Sequence, residues 1–143
     1  MHLARCGQIK VVLGGPPCRT FSRLRHQRPG PKPLRGRGEK RWRLEDLTDE
    51  EVDKTHGDTA LVLKMMAIYD VVVEASPEFH AFLMEHPTDP KDYLYEAEQY
   101  PSIWKRPEVH DFAQRHGLQT VKLDQGACGH SRVINSSVVS VVV

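Results

Sequence analysis

No apolar run in this chain is long enough to span a bilayer. The first residues, Met1-His2-Leu3-Ala4-Arg5-Cys6, lack the apolar h-region of a signal peptide, so neither a membrane partner nor secretion is expected. Cysteine is scarce. Cys6, Cys18 and Cys128 are odd in number and share no CxxC spacing, which argues against a disulfide framework or a zinc knuckle and for a reducing, intracellular compartment. Eight histidines fall in no HExxH-type spacing, so no metal site is read, and no internal repeat is present. What remains is the composition of one soluble globular domain: 143 residues, 39% hydrophobic and 27% charged.

Acids are missing from one stretch in particular. From Arg19 to Arg43 there are ten Lys/Arg and a single acid, Glu39, although the net charge of the whole chain is only +1. From Leu44 onward the balance reverses, with eight Lys/Arg against eighteen Asp/Glu. A basic segment on an otherwise acidic chain suits a polyanion-binding loop; the plainer reading is a solvated loop whose arginines bind nothing in particular. Pro29, Pro31 and Pro33, with Gly30, Gly36 and Gly38, leave few apolar residues in it, and a basic disordered loop over 19–45 is expected. Leu24, Leu34 and Trp42 are its only anchors, or stacking surfaces for a base.

Immediately before this segment, β-branched Ile9, Val11 and Val12 predict a first strand over Gln8–Gly14. Gly14 and Gly15 are expected to leave it at backbone angles closed to other residues, and Pro16 and Pro17 to stiffen the loop. Cys18 is then presented at a strand end, the edge where open α/β sheets place their chemistry. A lone cysteine is ordinarily a small core hydrophobe, and its costly flanks are what set this one apart.

Thr48-Asp49-Glu50-Glu51 has the form of a capping box, so a helix begins there or restarts after Gly57. Ala60–Val73 is apolar nearly all round and is expected to be buried on most sides, ending at Ser76-Pro77. Phe79–Met84 reads as a second strand running into Glu85-His86-Pro87, and 88–106 as a loop with Ser102 and Trp104 as helix-entry residues. Pro107 opens a helix that closes at Gly117, and Leu118–Leu123 is a third strand. This order predicts a parallel α/β sheet. The Val/Ser-rich tail, 133–143, reads as a divergent extension or a last edge strand prone to aggregation.

Gly14-Gly15-Pro16-Pro17-Cys18-x-x-Phe21-Ser22 resembles the catalytic Pro-Cys loop of the DNA cytosine-5 methyltransferases. The resemblance implies an α/β fold with a partial Rossmann-like parallel sheet, an incomplete class I methyltransferase fold spanning 1–132. It implies Cys18 as the nucleophile that attacks C6 of a flipped cytosine, so that C5 can take a methyl group from S-adenosylmethionine. Met84-Glu85-His86-Pro87 resembles the family's Glu-Asn-Val/Pro element, with Glu85 as the cytosine-contacting acid and His86 standing where the family has Asn. Gln125-Gly126-x-x-Gly129-His130-x-Arg132 resembles the family's Gln-x-Arg-x-Arg segment and would give Arg132 a contact to cytosine O2 or a phosphate. Cys128 is assigned no role.

Arg19, Ser22, Arg23, Arg25, Arg28, Lys32, Arg35, Arg37, Arg41 and Arg43 become the expected nucleic-acid contacts, to DNA or alternatively RNA, and a DNA-acting enzyme would be nuclear. No Phe-x-Gly-x-Gly loop precedes Gln8, so no residues are assigned to the cofactor, and an N-terminal lobe or partner chain is expected to supply them. GGPPCRTFS, the EHP strand end and the DQG…GH loop also resemble methyltransferase-like segments of dinoflagellate retroelement-type polyproteins. Two rival expectations are a non-enzymatic nucleic-acid-binding relic of such a polyprotein and a truncated product without function.

Overall fold

The computed structural model describes residues 1–27, 29–92, 100–124 and 135–140. A short helix, α1 (His2–Arg5), leads into strand β1 (Val11–Gly14). The basic segment follows and contains 3₁₀ turns at Arg23–His26 and Gly38–Arg41. Helix α2 (Asp49–Ala75) comes next, then strand β2 (Ala81–Pro87). Further 3₁₀ turns at Pro90–Asp92 and Ile103–Lys105 precede helix α3 (Pro107–Arg115) and strands β3 (Gln119–Asp124) and β4 (Asn135–Ser140).

Local signals explain the helix ends. The Thr48 hydroxyl accepts from the Glu51 amide while the Glu51 carboxylate accepts from the Thr48 amide, so two amides at the start of α2 are satisfied reciprocally. Gly57 does not interrupt the helix, which runs unbroken from Asp49. Pro107 occupies the first turn of α3, and Gly117, at φ +63°, takes the left-handed conformation just past its end.

The sheet has the order β1-β2-β4-β3. β1 and β2 are parallel with Val11 opposite Ala81 and Gly14 opposite Met84. β4 is antiparallel to both of its neighbours, β2 and β3. The expected all-parallel sheet is therefore corrected to a mixed one: β1, β2 and β3 share a direction, and the Val/Ser-rich tail is reversed between β2 and β3. The tail is an interior strand, not the edge strand its position at the end of the chain suggested.

The core lies on one face of the sheet. Val62, Met66, Tyr69 and Val72 of α2 meet Val12, Phe82 and Met84 of the strands and Val109 and Phe112 of α3, all buried. The Tyr69 ring centroid is 5.0 Å from that of Phe82 and 5.9 Å from that of Phe112, so both helices cover the same face. The buried positions of α2, including Thr55, Asp58 and Thr59, recur every three or four residues. The expectation of a helix buried nearly all round is thus corrected. It packs against one sheet face only, and Leu61 and Leu63 point away from that contact and remain exposed.

The basic segment is packed where disorder was expected. Thr20, Phe21, Leu34 and Arg35 are buried, and the Leu44 amide donates to the Leu34 carbonyl at 2.9 Å. Its few apolar residues suffice because polar anchors reach distant elements, and those anchors build the candidate site.

Candidate active site

The parallel register of β1 and β2 brings the residues after Gly14 alongside those after Met84. Glu85 lies within β2, which continues to Pro87. A Cβ on Gly15 would sit 3.4 Å from Glu85 Oε2, and one on Gly14 would sit 3.2 Å from Met65 Sδ. Neither glycine has a positive φ, which corrects the expected reason for them. At Gly14 the missing side chain leaves room for the Met65 sulfur, while at Gly15 a Cβ would make only an ordinary van der Waals contact with Glu85.

Cys18 follows the two prolines and is half-buried. Its carbonyl accepts from the Phe21 amide at 2.9 Å, closing a tight turn over 18–21. Burial pushes the Cys18 thiol above its ordinary range, and the nearby carboxylates of Glu85 and Asp58 push it the same way against a backbone hydrogen bond. The thiol therefore stays protonated at neutral pH.

Asp58 of α2 fixes the turn. Its side chain is fully buried and accepts from Thr20 Oγ1 at 2.9 Å, from Arg19 Nε at 3.1 Å and from Arg19 Nη2 at 3.0 Å. Phe21 is the second anchor. Its ring meets the His86 ring edge-on at 5.4 Å, and the Arg35 guanidinium carbon lies 4.2 Å from its centroid. His86 is 2% exposed, and neither ring nitrogen has a hydrogen-bond partner among the described residues. Burial brings its pKa down to about 4, so the ring is neutral. His86 is thus a packing residue behind the loop, next to Glu85 in β2.

The cations expected to bind nucleic acid divide into different roles. Arg35 is fully buried, donating to the Thr55 and Trp42 carbonyls and to Thr59 Oγ1 at 2.9 Å, and burial lowers it to about 10 with the like charge of Arg106 adding to the effect. That corrects its assignment: Arg35 clips the segment to α2 and cannot reach a phosphate. Arg37 pairs with buried Asp89, Lys32 reaches Asp46 and Glu51, and Arg25 donates to the Arg19 and Lys32 carbonyls. Ser22 caps the first 3₁₀ turn by accepting from the Leu24 amide. Arg19 keeps 58% of its side chain exposed despite its pairing, Arg43 is exposed, and Arg23 and Arg41 are half-buried. Arg28, Arg132 and Cys128, with the Gln125–His130 loop, lie outside the described residues.

The expectations missed Asp58 and Asp89. A signal for Asp58 was present: it occupies a position in the buried stripe of α2, three residues after Thr55 and four before Val62, and a carboxylate there needs a partner. Also unforeseen is a cavity of about 450 Å³ where Arg37 and Arg41 face Lys91 and Lys105. Among the described residues no cluster of His, Cys, Asp and Glu could hold a metal ion, and no helix is long and apolar enough to cross a membrane. Comparison with models of known families, with curated proteins and with solved structures finds no match to this chain.

Proposed function

We propose that this chain carries the cytosine-binding half of a DNA cytosine-5 methyltransferase-like catalytic domain, with Cys18 as nucleophile and Glu85 as the acid facing N3 of the base. The observation that carries the reading is that the register-matched parallel strands β1 and β2 put the loop bearing Cys18 at the same end as Glu85, whose Oε2 lies against Gly15, three residues before the thiol. Attack by the Cys18 thiolate forms an Sγ–C6 bond and breaks the C5–C6 π bond. The electrons move into C4–C5 as the C4=N3 π bond breaks onto N3, which takes a proton from the protonated carboxyl form of Glu85, and the thiol proton leaves to solvent. C5 is then enamine-like and nucleophilic.

The sheet supports the same reading. A reversed last strand, set between two strands that run the other way, resembles the closing half of a class I methyltransferase sheet. S-adenosylmethionine is the donor that the resemblance implies, but the cavity beside Arg37 does not fit it. The described cavity is lined by Arg37, Arg41, Lys91 and Lys105, which repel a sulfonium cation. Methyl transfer is therefore not assigned to these residues. β1 is an edge strand with Val11 51% and Leu13 71% exposed, and this open apolar edge favours a cofactor lobe added alongside it. The rival reading, nucleic-acid binding through the basic segment alone, is weakened because Arg35 is buried against internal partners.

The test is covalent trapping on an oligonucleotide carrying 2-pyrimidinone in place of cytosine, which reports thiol attack without methyl transfer. The expected result is a denaturation-resistant adduct, absent in Cys18→Ala and reduced in Glu85→Gln. A folded protein that binds the oligonucleotide and forms no adduct overturns the enzyme reading and leaves the binding module.

A further inference from the structure

The described cavity lies between the 3₁₀ turn at Gly38–Arg41 and the start of α3, well apart in sequence from Cys18 and Glu85. Its wall contains Arg37, Arg41, Lys91, Ser102, Lys105 and Pro107, and no acidic residue lines it. Asp89 takes the Nη atoms of Arg37 and leaves its Nε buried without a partner among the described residues.

That Nε is not alone. Nine buried side-chain nitrogen or oxygen atoms lack a hydrogen-bond partner among the described residues; three belong to residues that line the cavity, Arg37 Nε, Arg41 Nε and Ser102 Oγ, and two more, both Nη atoms of Arg106, lie on the residue between the lining Lys105 and Pro107. Arg106 sits between the lining residues Lys105 and Pro107, is 2% exposed, and packs its guanidinium 3.8 Å from the centroid of Trp42. Glu108 takes only its Nε, at 3.3 Å. Burial lowers the Arg106 pKa, and the Arg41 charge adds to that.

A buried donor left without a partner is destabilising, and like charges packed together add to the cost. A polyanion relieves both at once, because its oxygens accept several charge-assisted hydrogen bonds. Pro107 also puts the positive end of the nine-residue helix α3 at this wall. The volume suits a group of nucleotide size.

We infer that this cavity is a phosphate-binding site, which holds a phosphate ester or pyrophosphate group between the Arg37/Arg41 turn and the Lys105–Pro107 turn. It adds Lys91, Ser102, Lys105 and Arg106 to the basic segment. It stands independently of the cysteine chemistry, since neither Cys18 nor Glu85 contributes to it.

Both tryptophans of the chain sit one residue from the site's wall: Trp42 follows the lining Arg41 and stacks on Arg106, and Trp104 precedes the lining Lys105. Their emission therefore reads occupancy. The full chain is titrated with sodium pyrophosphate and with a single-stranded DNA 12-mer, using sodium chloride at matched ionic strength as the blank. The expected result is a saturable change with at least one probe. It weakens about tenfold or more in Arg41→Ala/Lys105→Ala and is unchanged in Lys64→Ala, on the exposed side of α2, and in Cys18→Ala. Lys105→Gln, a single change at an exposed position, keeps the test decisive if the double variant does not fold, with a loss of about threefold expected.

Saturation by pyrophosphate assigns a free phosphate compound. Saturation by DNA alone, lost when its backbone is replaced by methylphosphonate, assigns a strand phosphate. No saturable response to either probe, or equal binding by wild type and Lys105→Gln, overturns the inference. Loss of the pyrimidinone adduct in Cys18→Ala with this response retained separates the two sites.

Discussion

Asp58, fully buried in α2, accepts hydrogen bonds from both Arg19 and Thr20, the residues directly after Cys18. The position of the thiol is therefore set from a helix about forty residues away in sequence and not by the Gly-Gly-Pro-Pro turn alone. Asp58→Ala leaves the Thr20 hydroxyl buried and unpartnered, at a cost of about 1–3 kcal/mol. Arg19 adds little, because its side chain is mostly exposed. Urea unfolding measures this directly. A loss below about 0.5 kcal/mol would mean that the turn holds itself.

Alkylation reads the relationship between Cys18 and Glu85. The Glu85 carboxylate helps to hold the Cys18 thiol above its ordinary range, so Glu85→Gln lowers that pKa and raises the thiolate fraction near pH 8. Iodoacetamide labelling followed residue by residue by mass spectrometry is expected to speed up at Cys18 and to stay constant at exposed Cys6. An unchanged rate at Cys18 would place the two groups too far apart to share a base.

His86 gives the protein an acid-sensitive core. Its folded pKa is about 4 against 6.5 for the free side chain, so between these values the unfolded chain binds the extra proton. Stability is complete above pH 6.5 and falls as pH drops toward 4, by up to about 3 kcal/mol from this residue. Denaturant melts between pH 7 and 4 are expected to lose much of that slope in His86→Phe. An equal slope in both proteins would reassign the effect.

Gly30 separates a packed basic segment from a loose one. A Cβ at this position would lie 2.3 Å from the Gln27 carbonyl oxygen and 2.7 Å from that of Leu24, and backbone atoms cannot swing aside. Gly30→Ala is expected to destabilise the protein by about 1–3 kcal/mol. In an unstructured loop the same change is neutral, so a thermal melt decides between them.

Gly57 predicts the opposite sign. It sits inside α2 with open space where a Cβ would go. Gly57→Ala therefore stabilises by about 0.5–1 kcal/mol through helix propensity, and the increase is read from the same melts.

The sequence by itself determined what depends on near neighbours. The Thr48/Glu51 capping box, Pro107 at the start of α3, Gly117 past its end and the Val11–Gly14 strand all follow from residues within a turn of one another. That the ends of β1 and β2 lie side by side, with the Cys18 loop after one and Glu85 in the other, was also legible, because parallel strands put their C-terminal ends together. The tertiary structure alone decided where the tail pairs, since a period-2 pattern does not name its neighbours and β4 enters reversed between β2 and β3. It also decided the fate of the basic segment. Arg19 finds Asp58 39 residues away and Arg37 finds Asp89 52 residues away, while Arg35 is buried on α2. Proline, glycine and charge in a local window read as disorder. The cost of ordering that window is met by ion pairs and hydrogen bonds to distant elements, and only the folded chain brings those partners within reach.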